Sequence, residues 1–395
     1  MNNVFNSKWL LNLLEKSNNM KDFCVIENAV ENPNSILQNI KESIKETTKH
    51  EEKAIMRVFI NNGQNFRELE NLRNEPIKSN ETIHQWICRS INNDKYTVTF
   101  NGITRWNKDF HTLTTKEVIN PLVKTLGEPL SGIDSYAFIA THGDTPFGVH
   151  EDLDDSLIFH LGPNNKDVWI WEHDKYLNLV GDDKRKFEFK DIEASATKFS
   201  LKPGDCLFIP EGDFHVFHNN AFSVFLGFII FPNSKQKIIN KSIENTFKDQ
   251  RLPTFSKDFS INKLGFLPNE KYIEEGFEEY IYKLRSNGYL VHHSIPHPIK
   301  EIKNNYVVNR NFSVPVLNIE NYTYVYIKGI RIQFEKSESV QKTLDYILSK
   351  EIIDLNNIFK EIRQLDFFND YVFKVLIKTF VEYGILEEKI NGKYT

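Results

Sequence analysis

Two short segments hold the residues best able to do chemistry. One is Phe-Gly-Val-His-Glu-Asp at 147–152; the other is Pro-Glu-Gly-Asp-Phe-His at 210–215, whose His215 follows His150 by 65 residues. Side chains at i and i+2 of a β-strand share a face. His150 and Asp152 can therefore converge on one ion while Glu151 points away. His215 and His218 fall on opposite faces of a later strand, so only one can join. His215, at the close of the Pro210–Phe214 turn, is the better placed. Two imidazoles and a carboxylate on one face of a metal leave positions open for a co-substrate and O2, an arrangement suited to non-haem Fe(II).

These residues need a rigid β scaffold, and the surrounding sequence supplies one. Tyr96–Phe100, Ser135–Ala140, Ser156–Leu161, Val168–Trp171, Lys198–Leu201, Cys206–Pro210, Phe214–His218 and Phe222–Phe231 are short β-prone runs. Turn signals at Gly162-Pro163-Asn164-Asn165, Lys202-Pro203-Gly204-Asp205 and Asn219-Asn220 separate them. Many short strands at regular spacing predict a sandwich or jelly roll, the class that includes cupins. Upstream, 8–20 and 34–47 carry apolar residues at helical spacing, Phe23–Ile26 is a short strand, and 61–82 is polar loop and helix.

After Asn233 the texture becomes mixed and charged, with a helix near 269–286 and a proline-containing linker at His292–Pro298. Tyr322–Ile327 and Ile330–Phe334 flank Lys328-Gly329 as a hairpin, and helical patterns follow at Ser339–Ser349, Asp354–Arg363 and Asp370–Tyr383. Gly384 suits the residue after a helix end, and Ile385–Ile390 with Asn391-Gly392 suggests one more hairpin. The expected architecture is α+β: a double-stranded β-helix (jelly roll) over 1–232 with its core at about 96–232 and flanking helices, a helical linker region over 233–300, and a winged-helix-like domain over 301–395.

Composition narrows the class. The chain has 395 residues, 26% of them charged, and a net charge of −5, which gives no electrostatic reason to expect nucleic acid. The segment from 301 carries 13 Lys/Arg against 13 Asp/Glu, whereas a DNA-binding winged helix is basic. A protein or peptide partner suits that module better. Cys24, Cys88 and Cys206 form no CxxC pair, which argues against a disulfide framework or thiolate zinc and fits a reducing cytoplasm. Neither a signal peptide nor a membrane-spanning run is evident, so a cytoplasmic location is expected.

The flanks of the two segments resemble the Jumonji C family of cupin-fold, Fe(II)- and 2-oxoglutarate-dependent oxygenases, above all its ribosomal oxygenase branch and its small-molecule- and peptide-modifying bacterial relatives. Ser135–His150 looks like the strand and glycine-containing loop leading to the family's first ligand, and Cys206–His215 like the second-histidine strand. The branch also places a helical dimerisation region and a winged helix after the catalytic domain, so a homodimer is implied. By this resemblance His150, Asp152 and His215 are the iron ligands and Lys166 anchors the far carboxylate of 2-oxoglutarate, though one residue late against the family pattern. His160 is the alternative anchor, or a core histidine. Where the family often has tyrosine this chain has Phe138, and Tyr136 or Thr145 would supply the missing hydroxyl. Trp169, Trp171 and the phenylalanines of 214–231 are expected in the core, Cys206 as an inert buried thiol, and Trp106 and Phe110 as candidate lining of a substrate pocket.

Three functions are consistent with this reading. The first is oxidation of a residue in a protein or peptide, with Fe(II), 2-oxoglutarate and O2 consumed and succinate and CO2 released. The second is the same chemistry on a free amino acid or small metabolite. The third is a cupin-fold binding or regulatory protein without catalysis, which the intact His-x-Asp…His set disfavours.

Overall fold

The computed structural model describes residues 3–181, 185–246, 270–299 and 301–389. The chain divides into two compact units: Met1–Pro129 with Ile133–Pro232, and Leu130–Gly132 with Asn233–Thr395.

The first unit runs α1 (Trp9–Lys16), β1 (Cys24–Ile26), α2 (Pro33–Thr47), β2 (Ile55–Ile60), β3 (Gly63–Gln64), α3 (Phe66–Asn74), α4 (Ile83–Ile91), β4 (Thr97–Asn101), α5 (Lys108–Thr114) and α6 (Asn120–Leu126). It continues with β5 (Ile133–Ala140), β6 (Gly143–Asp144), β7 (His150–Glu151), β8 (Asp155–Pro163), β9 (Lys166–Trp171), α7 (His173–Val180), β10 (Thr197–Leu201), β11 (Cys206–Ile209), β12 (Phe214–Asn219) and β13 (Ser223–Ile230). Local chemistry starts the helices. Asn32 accepts from the Ser35 amide with Pro33 in the first turn of α2, and Thr82 and Gln85 close a reciprocal capping box on α4.

The strands form two antiparallel sheets. The larger is ordered β1-β11-β8-β13-β5-β4-β2-β3, and the smaller β10-β9-β12-β6, with β7 also on β12. Period-two alternation sorts each strand between the barrel interior and the outside. On β9, Val168 and Ile170 join Phe138, Ile158, Leu201, Leu207, Ile209, Phe217 and Phe225 in the interior core. Trp169 and Trp171 face the other way, packing with Phe214, Val216 and Tyr176 of α7. On the outside of the larger sheet, Phe159 meets Phe5 and Trp9 edge-on. Trp106 and Phe110, the candidate pocket lining, are almost fully buried in helical turns that pack against α2.

One glycine is needed for a side chain to enter the barrel. Gly227 lies opposite Tyr136 across β13 and β5, and a Cβ there would stand 2.3 Å from the tyrosine ring. Gly227→Ala is expected to cost about 1–3 kcal/mol as the ring is forced aside. Urea unfolding measures this, and an unchanged midpoint would show that the ring has room to move.

The second unit contains α8 (Lys235–Thr246) and α9 (Glu270–Ser286), which pack together, followed by β14 (Asn305–Val308), β15 (Val316–Ile319), β16 (Tyr322–Ile327), β17 (Ile330–Glu335), α10 (Glu338–Ser349), β18 (Ile352–Asp354), α11 (Leu355–Ile362), α12 (Asp370–Glu382) and β19 (Leu386–Glu388). Both turn residues between β16 and β17, Lys328 and Gly329, have positive φ, as a two-residue hairpin turn of this hand requires. The strand β19 pairs with β14 in a sheet ordered β18-β14-β19. Asn391-Gly392 lies outside the described residues. Three helices over this sheet share one apolar core, giving the winged-helix-like outline. Among the described residues, no helix is long and apolar enough to cross a membrane.

Candidate metal centre

Strand β7 lies against β12 with His150 directly opposite His215. Their ring centres are 4.5 Å apart. Asp152 follows the end of β7 and brings its carboxylate to both: Oδ1 is 3.9 Å from His150 Nε2, and Oδ2 is 3.8 Å from His215 Nε2. One ligand atom from each of the three lies within 4.8 Å of the others, and among the described residues this is the one such cluster of histidine, cysteine and acidic groups. The side chains excluded by parity are engaged elsewhere. Glu151 lies 3.2 Å from His173 Nδ1, and His218 Nδ1 is 2.7 Å from Asp144.

The imidazoles are oriented from behind. His150 Nδ1 is 2.9 Å from the Gly148 carbonyl and His215 Nδ1 is 3.2 Å from the Asp213 carbonyl. A carbonyl only accepts, so each Nδ1 carries the proton and each Nε2 keeps a lone pair toward the cluster. Gly148 is required for this geometry: its φ is +66°, and a Cβ would sit 2.7 Å from the Lys186 carbonyl. Burial, and then the neighbouring His215, push His150 down to about 4, which keeps it in the neutral form that binds metal. The Asp152 side chain is 45% exposed while that of His215 is 3% exposed, so the cluster opens on the carboxylate side.

Deeper in the barrel, Lys166 is fully buried and its Nζ has no hydrogen-bond partner among the described residues. It stands over the rings of Phe138, Phe225 and Phe217 at 4.6, 4.7 and 5.4 Å. Burial pushes it down to about 7. The register pairs Lys166 with Asn219 and Ile170 with His215, so Lys166 and His215 face the same interior four residues apart along the sheet. His160 is buried beside it: Nε2 meets the Asn164 carbonyl at 2.8 Å, Nδ1 has no partner, and burial, then the Lys166 charge, push it down to about 4. It is a neutral histidine with one free lone pair.

The Thr145 hydroxyl is buried without a partner. The Tyr136 phenol is held far above its usual range by burial and then by the Asp152 charge, so it is a neutral donor near that carboxylate. Phe138 is stacked flat on Phe225, 4.9 Å between centres, and offers only its ring. Cys206 is buried with its thiol pushed up by burial, as expected of an inert group. A buried ammonium ringed by three phenylalanines, on the inner face that also carries His215, is suited to pair with an anion.

Solved structures share this architecture. The crystal structure of the Escherichia coli ribosomal oxygenase YcfD is 16% identical, matching 98% of this chain and all of that one with a TM-score of 0.52. The chain shares the fold of that oxygenase. A second structure of the E. coli protein, in complex with cobalt and succinic acid, is 14% identical over 95% of this chain and 97% of that one, with a TM-score of 0.50. No protein-family model and no curated protein matches the sequence.

Sequence reasoning missed β2 and, on it, Arg57. The signal was a single cation inside the apolar run Ile55-Met56-Arg57-Val58-Phe59-Ile60.

Proposed function

We propose that the chain is an Fe(II)- and 2-oxoglutarate-dependent oxygenase that hydroxylates an amino-acid residue of a protein or peptide. The observation that carries this reading is Lys166: a buried cation without a partner calls for a buried anion. The co-substrate's far carboxylate answers it, with the keto-acid end directed toward the metal cluster.

In this reading His150 Nε2, His215 Nε2 and Asp152 hold the metal. Bound iron with O2 supplies the oxidation of 2-oxoglutarate to succinate and CO2 coupled to insertion of one oxygen atom into a substrate C–H bond. The protein's own groups bind, orient and exclude water. The Gly148 and Asp213 carbonyls fix the imidazoles, and the Phe138, Phe217 and Phe225 rings keep water from Lys166. The hydroxyls of Thr145 and Tyr136 are donors for co-substrate oxygens, and neutral His160 leaves the charge of Lys166 to the carboxylate. The oxygenase domain is 1–232, 233–300 is the helical linker region and 301–395 is the winged-helix-like domain. The charge-neutral C-terminal module and the name of the E. coli neighbour, a ribosomal oxygenase, support a polypeptide substrate.

Anaerobic addition of Fe(II) and 2-oxoglutarate is expected to give a visible charge-transfer band that is absent from His150→Ala. On admission of O2, succinate forms faster with peptide present. Neither band nor succinate from the wild-type chain would refute the assignment.

A further inference from the structure

The larger sheet continues beyond the barrel through β4 and β2, and its register carries the interior face outward. Directly opposed residues of antiparallel strands share a face. Arg57 on β2 is opposite Thr99 on β4, Thr99 is opposite Phe138 on β5, and Phe138 is opposite Phe225 on β13. Arg57 therefore ends the row whose inner members are the rings beneath Lys166.

Its side chain is already held. Arg57 Nε donates to Thr99 Oγ1 at 3.2 Å, and the guanidinium carbon lies 5.7 Å from the Phe147 ring centre and 6.0 Å from that of Phe59. The Phe147 ring stands edge-on to His150, 5.4 Å between centres. One aromatic ring thus separates the guanidinium from a candidate metal ligand, and the two distances end to end place them no more than about 11 Å apart. Arg57 is exposed and forms no ion pair among the described residues. An arginine bonded through Nε and lying near two rings is restrained, while neither terminal nitrogen makes a hydrogen bond among the described residues. That is a preorganised fork for a carboxylate.

We propose that Arg57 is a specificity-determining residue that receives an acidic side chain of the polypeptide substrate. At about 3.3–3.6 Å per extended residue, that acid lies a few residues from the one oxidised. The proposal rests on the oxygenase reading for what happens next to the acid, but not for its binding.

The test uses the full-length protein and three pools of fluorescein-labelled heptapeptides, degenerate except at a centre fixed as Asp/Glu, Asn/Gln or Lys. By fluorescence anisotropy the wild type is expected to bind the acidic pool about 10- to 100-fold more tightly than the amide pool, the range for a charge-assisted bidentate pair. Arg57→Gln should remove that preference, and Arg57→Glu should turn it toward the Lys pool. Equal binding of acidic and amide pools by the wild type, or a preference kept in both variants, overturns the proposal. Displacement of the acidic pool by equimolar free glutamate also overturns it, placing the carboxylate on a small molecule. The charge-transfer band of the wild type is recorded separately. Acid preference without a band keeps Arg57 and discards the oxygenase reading; a band without preference does the reverse.

Discussion

Lys166→Met is expected to make the protein more stable in the absence of co-substrate and blind to 2-oxoglutarate. The first effect follows from the pKa. Burial lowers Lys166 to about 7 in the folded chain from an ordinary value near 10.5. Well below pH 7 both states are protonated, and the folded state bears the full cost of a buried charge. That cost is on the order of 5 kcal/mol, since each tenfold loss of proton affinity corresponds to about 1.4 kcal/mol. Between about pH 7 and 10.5 the unfolded chain binds the extra proton, so wild-type stability rises with pH through that window and levels off above it. Methionine, similar in length and uncharged, removes both the cost and the slope. Melting temperatures from pH 6 to 10 measure this directly.

The second effect is loss of linkage. A ligand at a hundred times its dissociation constant stabilises the state that binds it by about 2.7 kcal/mol. With Mn(II) present, 2-oxoglutarate should raise the wild-type melting temperature by several degrees and that of Lys166→Met by none. A variant less stable than wild type, or one still responding to 2-oxoglutarate, would show that the ammonium has another purpose.

Asp152→Ala is expected to weaken divalent metal binding by more than about a hundredfold, beyond the 10- to 100-fold typical of groups that only orient a ligand. Asp152 supplies the one negative charge of the cluster and its open side. Without it, two imidazoles 4.5 Å apart face each other with no anion to offset a cation. Glu151→Gln is the control, because that carboxylate pairs with His173 and should leave metal affinity within a few-fold. Anaerobic Fe(II) or Mn(II) titration distinguishes the two. Comparable losses in both variants would mean that the carboxylates act through the fold rather than as ligand and bystander.

Much of the barrel was legible because its information is local. Alternation along a strand has period two, so the type and order of residues in 135–140, 156–161, 168–171 and 214–218 predict both the strands and their inner faces. The structure has strands at each of them. The same parity separates Asp152 from Glu151 and His215 from His218, and each rejected side chain has a partner of its own.

What was not legible depends on pairings distant in sequence. The strand at Leu386–Glu388 finds β14, about 80 residues earlier. The packing of Trp106 and Phe110 against α2 is likewise a contact between segments far apart in sequence. Strand β2 borders a polar region, and its place beside β4 is a matter of sheet order.

The amino-acid sequence alone picks out His150, Asp152 and His215 as one candidate cluster, because residue type and spacing are properties of a few consecutive positions. Only the tertiary structure decides what surrounds it. The register of β9 against β12 sends Lys166 into the barrel, and three phenylalanines from β5, β12 and β13 strip it of water. The order of β2, β4 and β5 places Arg57 at the rim. Burial and charge belong to the assembled sheet, and no single strand carries them.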